Sequence, residues 1–383
     1  MLHSAVTGVP GNNLDRWIQG RAYRRLLASL AEKYDYAVLE GVMGLFDSGS
    51  PKDLSSYYYF NALGIPYILV VNVAKLAESA YYVAKGFLTK LCKGVIINDY
   101  YSERHLEMAS SPFRQRGIRI VGAVPHDDSI SLEERHLGLR TDLDPSRINE
   151  IASRVSSHID FSFIDNLPEI NISAATQSSG YGMSGLRFAV ALDSAFNFYY
   201  SSSLRFMELR GKVEYFSPLN GEIPEDPDFI YIGGGYPELF AEKLSRVSAT
   251  RDYIKNFSLA GGVILSECGG LMYLEDKLFA GDRVFNMCGV FDGETLMKEK
   301  PVIGYTKLRA MSDTFLFRKN ETLYGHEFHY SLAEDSALKV LNNEIGRGID
   351  GTDGLYKDNT LATYSHFDLS RYGKRIVRNI KPS

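Results

Sequence analysis

Residues 261–274 read Gly-Gly-Val-Ile-Leu-Ser-Glu-Cys-Gly-Gly-Leu-Met-Tyr-Leu. An apolar run of strand length, 262–266, leads into Cys268, two glycines follow, and a helix-like segment begins. This is the layout of a nucleophile elbow, in which a tight strand-to-helix turn lifts one side chain above a parallel sheet and needs small neighbours. The N-terminus of the following helix favours a thiolate, and its backbone N–H groups can hold an oxyanion. A free cysteine is also commonly inert core, and the local pattern alone leaves both readings open.

Upstream, residues 229–240 read Phe-Ile-Tyr-Ile-Gly-Gly-Gly-Tyr-Pro-Glu-Leu-Phe. A strand ending in three glycines lets backbone approach a ligand closely. The amides of Gly234 and Gly235, with that of Gly269, are therefore candidate oxyanion or glutamine-binding donors; a flexible glycine turn is the plain alternative. A thiol nucleophile also needs a base. Downstream lie His326 and His329, in Gly-His-Glu-Phe-His-Tyr-Ser, and His366, in Ala-Thr-Tyr-Ser-His-Phe. Cys–His pairs form in space rather than in sequence, so spacing does not choose among the three.

The surroundings predict α/β architecture on both sides of a polar stretch. Residues 187–192, 212–216, 229–232 and 262–266 predict strands of one unit. Residues 36–39, 67–73, 94–98 and 119–124 predict buried strands of another, with helices at 76–91 and 102–114 between them. Such alternation predicts a parallel sheet with helices on both faces. The Ser- and Gly-rich stretch near 170–185 predicts a linker. The expected division is 1–170, a linker at 171–185, and 186–383.

The 383 residues carry a net charge of only -5, which removes the reason to expect a nucleic-acid partner. Cys92, Cys268 and Cys288 are too few and scattered for a disulfide framework or a zinc site, and fit a reducing cytoplasm. The longest apolar runs are strand-sized rather than membrane-spanning, and the N-terminus lacks a signal-peptide pattern. A homodimer stays open.

In the first half, Glu40 follows the apolar run 36–39 directly. This predicts a carboxylate at the C-terminal edge of a parallel sheet, where open α/β sheets bind ligands and where Mg²⁺ is held between protein and nucleotide phosphates. Asp47, on the following loop, is placed to meet the metal or the substrate. Solvated loop acids are the plain alternative for both. The phosphate loop Gly-x-x-x-x-Gly-Lys-Ser/Thr does not occur: Gly211-Lys212 is followed by Val213, and Gly373-Lys374 by Arg375.

These segments together resemble the cobyrinate a,c-diamide synthase family. In the second half the resemblance rests on 191–200 (Ala-Leu-Asp-Ser-Ala-Phe-Asn-Phe-Tyr-Tyr), 216–219, 233–238, 266–274, 304–305, 325–331 and 363–367. In the first half it rests on 13–17 (Asn-Leu-Asp-Arg-Trp, with Arg16 where the family has proline), 40–47 (Glu-Gly-Val-Met-Gly-Leu-Phe-Asp), 94–98 and 132–139. Asn72 stands where the family commonly has aspartate.

The resemblance implies two α/β domains: a dethiobiotin-synthetase-like P-loop sheet, here incomplete, followed by a class I glutamine amidotransferase-like domain. It implies Cys268 as the nucleophile and His366 as its activating histidine, and gives Asp368, two residues later, no triad role. Glu40 (as metal ligand), Asp47 and Asn98 would serve ATP, Mg²⁺ or substrate. Family members carry the phosphate loop upstream of the Asn-Leu-Asp segment, so the chain resembles a member lacking it.

The reaction implied is ATP-dependent amidation of the a and c carboxylates of cobyrinic or hydrogenobyrinic acid with ammonia from glutamine, in cobalamin biosynthesis. Amidation of nickel-sirohydrochlorin on the way to cofactor F430 is a second expectation. An ATP-incompetent tetrapyrrole-binding protein or a lone glutaminase subunit is a third.

Overall fold

A computed structural model describes residues 4, 7–49, 54–130, 145–172 and 185–380. The 132–139 motif and most of the expected linker lie outside them. The chain divides into two compact units, Met1–Gly11 with Tyr34–Ser173, and Asn12–Lys33 with Ala174–Ser383. Residues 12–33, kept with the first domain in the sequence reading, thus pack with the second unit. No helix among the described residues is long and apolar enough to cross a membrane.

The first unit is built on strands β1 (Tyr67–Asn72), β2 (Cys92–Tyr100) and β3 (Ile120–Pro125), parallel and in that order. Helices Ser79–Ala84 and Glu103–Arg114 cover one face, where Val71, Val95, Ile97, Ala109 and Phe113 form the core. On the other face Val70 is 60% exposed. The helix expected over 76–91 is shorter, passing into a 3₁₀ turn at Lys85–Phe87, because Gly86 is a poor helix residue.

The strand expected at 36–39 does not form. These residues have no strand partner among the described residues, and Val38 is 96% exposed. Apolar, β-branched composition favours a strand only where a neighbouring ladder satisfies its backbone groups.

The second unit holds one mixed sheet. Its parallel part is β4 (Leu186–Ala191), β5 (Gly211–Phe216), β6 (Phe229–Ile232), β7 (Val263–Glu267) and, from far downstream, β14 (Thr360–Thr363), in the order β5-β4-β6-β7-β14. The antiparallel part continues through β13 (Thr352–Lys357), β12 (Lys339–Ile345) and β10 (Glu294–Ala310). β10 pairs with β11 (Thr322–Glu334) and with β8 (Lys277–Ala280), which pairs with β9 (Arg283–Asn286).

Period-two alternation sorts the parallel strands onto two buried faces. Along β6, Ile230 and Ile232 join one core cluster and Phe229 and Tyr231 the other. Along β7, Ile264 and Leu265 divide in the same way. Both faces are covered, which explains why these strands read as continuous apolar runs.

The segment Asn12–Lys33 is stitched into this unit. Asp15 caps the short helix Arg16–Gln19, accepting from the N–H groups of Trp17 and Ile18, and also accepts from the Tyr305 hydroxyl at 2.9 Å. The Trp17 indole donates to the Thr306 carbonyl at 2.9 Å and meets the Tyr324 ring edge-on at 5.0 Å. The Arg371 guanidinium donates to the carbonyls of Trp17 and Ile18.

Candidate active site

Sheet order assembles the site before any side chain is considered. β7 lies between β6 and β14, all three parallel, with Ile232 opposite Ser266 and Thr363 opposite Glu267. The residues just beyond these strand ends are Gly233 to Gly235, Cys268, and the turn carrying His366. They therefore meet at one C-terminal edge, the edge where open α/β sheets place ligands.

Cys268 sits at the elbow itself. Its φ is +51°, a left-handed value that costs a non-glycine residue energy and persists only when surrounding structure enforces it. Here its N–H donates to the Thr363 carbonyl at 2.7 Å, and its carbonyl accepts from Met272 in the helix Gly269–Leu274. The glycines around it are required by close approach. A Cβ on Gly269 would stand 2.8 Å from Pro237 and 3.0 Å from the backbone of Gly235, and a Cβ on Gly234 would stand 2.5 Å from His366 Cε1.

The side chain is enclosed rather than open. Cys268 is 4% exposed because the strand carrying Phe328 runs over it, and the thiol donates to the Phe328 carbonyl at 3.3 Å.

Of the three histidines, the structure brings His366 to the sulfur. It is 5% exposed, and its Nδ1 lies 3.3 Å from Glu267 Oε2. Burial on its own would depress this imidazole. The Cys268 sulfur and then the Glu267 carboxylate outweigh burial and raise the ring to about 10.

His326 stacks on His366 at 4.9 Å and pairs with it backbone to backbone. Burial first, and then the neighbouring charge on His366, lower His326 to about 3, so it stays neutral. The Tyr200 hydroxyl, whose own pKa burial raises well above the usual range, shares a hydrogen bond with His326 Nδ1 at 2.5 Å. His329 is occupied elsewhere, stacked on Tyr364 at 3.7 Å with Nδ1 against the Ser331 carbonyl at 2.7 Å.

Asp368 is turned to other work. Its carboxylate accepts from the Ser370 N–H as a helix cap, from Gln19 at 3.0 Å and from the Ser202 hydroxyl at 2.5 Å.

Sequence reading missed Glu267. The available signal was a carboxylate closing an otherwise apolar buried strand, a placement that is costly unless dedicated donors meet it.

Cys268, His366, Gly234, Gly235 and Gly269 thus gather at one edge of the second unit. Glu40 and Asp47 lie on an exposed segment of the first unit without the sheet edge expected for them. Asp47 accepts from the Gly44 N–H at 3.1 Å. Asn98 lies near the C-terminal end of β2, opposite Asn72 and Val124. Asn72 caps its own turn through the Ala74 N–H and donates to Asp99 at 3.3 Å. No group of three or more metal-ligating side chains occurs among the described residues.

The chain is similar to known proteins. Residues 187–372 match the CobB/CobQ-like glutamine amidotransferase domain. Over nearly its whole length the chain is similar to the cobyrinate a,c-diamide synthases of three organisms. That of Saccharolobus solfataricus is 35% identical, covering 98% of this chain and 89% of the relative. That of Sulfurisphaera tokodaii is 37% identical, covering 96% and 87%. That of Limosilactobacillus reuteri is 34% identical, covering 98% and 88%. Among solved structures, PurLQS from Thermotoga maritima is similar with a TM-score of 0.39 and 15% identity, covering 51% of this chain and 100% of that one. Identities of 34–37% to the three synthases over 96–98% of this chain establish that it belongs to the cobyrinate a,c-diamide synthase family.

Proposed function

We propose that the chain is a glutamine-hydrolysing carbon–nitrogen ligase that amidates the a and c side-chain carboxylates of cobyrinic or hydrogenobyrinic acid. The observation that carries this reading is the meeting of Cys268, His366 and the glycine-lined end of β6 at one sheet edge. The names of the relatives support the substrate.

In this reading His366 takes the thiol proton, and the Cys268 sulfur attacks the side-chain carbonyl carbon of glutamine. Backbone N–H groups of Gly234, Gly235 and Gly269 stabilise the oxyanion. When the tetrahedral species collapses, the C–N bond breaks and His366 returns the proton to the departing nitrogen, which leaves as ammonia. Water then cleaves the glutamyl thioester, releasing glutamate and restoring the thiol.

ATP activates the tetrapyrrole carboxylate as an acyl phosphate, and ammonia displaces the phosphate. Catalysis there is mainly positioning and charge neutralisation, with Asp47 and Asn98 as contributors to nucleotide or substrate. Magnesium in such sites is held by one or two carboxylates plus phosphate oxygens. An exposed carboxylate such as Glu40 suits that mode, and the bound ion would offset phosphate charge.

One observation favours a second reading: Glu40 and Asp47 lie on an exposed segment without the sheet edge expected for them. On that reading the chain is a glutaminase subunit, or a tetrapyrrole-binding protein, without an ATP step of its own.

The test is mass spectrometry of cobyrinic acid and of nickel-sirohydrochlorin after incubation with the protein, ATP, Mg²⁺ and glutamine. Two amides on the first compound support the proposal, and two on the second move the substrate to the F430 branch. Glutamate release with neither compound changed supports the glutaminase reading. No glutamate release and no amide overturns both enzymatic readings.

A further inference from the structure

We propose that Glu267, the residue immediately before the nucleophile, is the positioning residue for His366. The inference rests on the glutaminase reading of Cys268 and His366 and extends it to a residue which that reading does not use.

The geometry is specific. Glu267 ends β7 on the face that carries Leu265 and Tyr231, and is 1% exposed. Oε1 accepts the Phe367 N–H at 3.0 Å; Oε2 accepts the Tyr231 hydroxyl at 2.7 Å and lies 3.3 Å from His366 Nδ1. Two of the three partners belong to the His366–Phe367 dipeptide, so the carboxylate grips both the ring and the backbone beside it. The residue in the other candidate position, Asp368, is taken up by Ser370, Gln19 and Ser202.

Chemistry gives this arrangement a purpose. A buried carboxylate without donors is strongly disfavoured, so three convergent donors mark a site built for the ionised form. With Nδ1–H directed at Glu267, the neutral ring presents its Nε2 lone pair, the tautomer needed to accept the thiol proton. Once the ring is protonated, the same carboxylate stabilises the imidazolium without taking a proton. The elbow explains how neighbours in sequence serve opposite ends of one ring. At φ +51° the chain turns sharply at Cys268, while Glu267 is held in the β7 ladder opposite Thr363.

The test compares Glu267→Gln, Asp368→Asn and Cys268→Ala with the wild-type full chain, using two readouts. The first is glutamine hydrolysis across pH. Glu267→Gln should lower kcat by about 10²- to 10⁴-fold, the range for removing a histidine's orienting acid, with KM changed far less. The second needs no activity: ¹⁵N-histidine NMR titration, with the His366 signal assigned by His366→Gln. Its midpoint should move to lower pH in Glu267→Gln and stay in place in Asp368→Asn.

Glutamine offers Tyr231 and Phe367 an acceptor but carries no charge, so a merely structural Glu267 would leave the His366 midpoint unmoved. An unmoved midpoint, or a midpoint moved by Asp368→Asn alone, overturns the proposal. Glutamate release by Cys268→Ala would instead defeat the glutaminase reading, and the titration still reports on Glu267.

Discussion

Gln19 Nε2 donates to Asp368 Oδ2 at 3.0 Å, which ties the segment Asn12–Lys33 to the turn that His366 opens two residues earlier. Arg371, on the same turn, holds the carbonyls of Trp17 and Ile18, and Trp17 is 5% exposed between Tyr324 and Tyr305. The first prediction concerns this seam. Trp17→Ala removes a buried aromatic and the bond from its N–H to Thr306, and should cost about 3–5 kcal/mol. Urea unfolding followed by a probe in the second unit measures it. A loss under about 1 kcal/mol would mean the segment is not structurally integrated there.

The two stacked histidines predict opposite pH responses. His366 is raised from 6.5 to about 10. Its contribution to stability is complete below about pH 6.5, where both folded and unfolded forms hold the proton, and is lost as pH rises through about 10. His326 is lowered from 6.5 to about 3. Its contribution is complete above about pH 6.5 and is lost as pH falls toward 3, because the unfolded chain then binds a proton that the folded one refuses. Stability measured from pH 4 to 10.5 should therefore converge with that of His366→Asn at the alkaline end. A His326→Gln variant should show a shallower acid-side loss than wild type. Parallel curves across the whole range would contradict both assignments.

How much of this was legible in the sequence depends on what supplies the partner. Residues 229–232 and 263–267 are buried on both faces of one sheet, so apolar composition alone located those strands. Residues 36–39 have the same composition and form no strand, because a ladder partner is a property of the fold and not of the segment. Cys268 was visible as an elbow between a strand and a glycine pair. His366 could not be separated from His326 by residue pattern, since β14 reaches the side of β7 only through sheet order. The Asn-Leu-Asp-Arg-Trp segment gave no local sign that Trp17 would pack on Thr306 and Tyr324, far downstream in the chain.

Glu275, which ends the short helix that starts at Cys268, supplies a third prediction. Its carboxyl is buried beside Asp335. Burial first, and then the neighbouring carboxylate, raise it from 4.5 to about 9. A carboxyl raised in the folded state is neutral in both states below about pH 4.5 and costs nothing there; its penalty grows as pH rises toward 9. Glu275→Gln keeps the shape without the charge, and should stabilise the protein at pH 7 by roughly 3 kcal/mol, at about 1.36 kcal/mol for each pH unit between 4.5 and 7. The gain should vanish near pH 4. Denaturant midpoints at the two pH values decide the matter, and an equal effect at both would point to packing rather than charge.

Gly234 gives the most local prediction. Its amide is a proposed oxyanion donor, and a Cβ on it would stand 2.5 Å from His366 Cε1 and 3.2 Å from Nε2. Gly234→Ala therefore cannot leave the imidazole where it is. The ring is held by Glu267 on its other side and stacked on His326, so it has little room to retreat, and the displacement falls on its approach to Cys268. A shift near 1 Å in a catalytic pair costs about a hundredfold in rate. Glutamine hydrolysis by Gly234→Ala should fall by at least that much, while the near-UV circular dichroism of the folded chain is retained. A variant with native spectra and undiminished turnover would show that the ring does not act from this position, and would remove the support that Gly234 lends to the site.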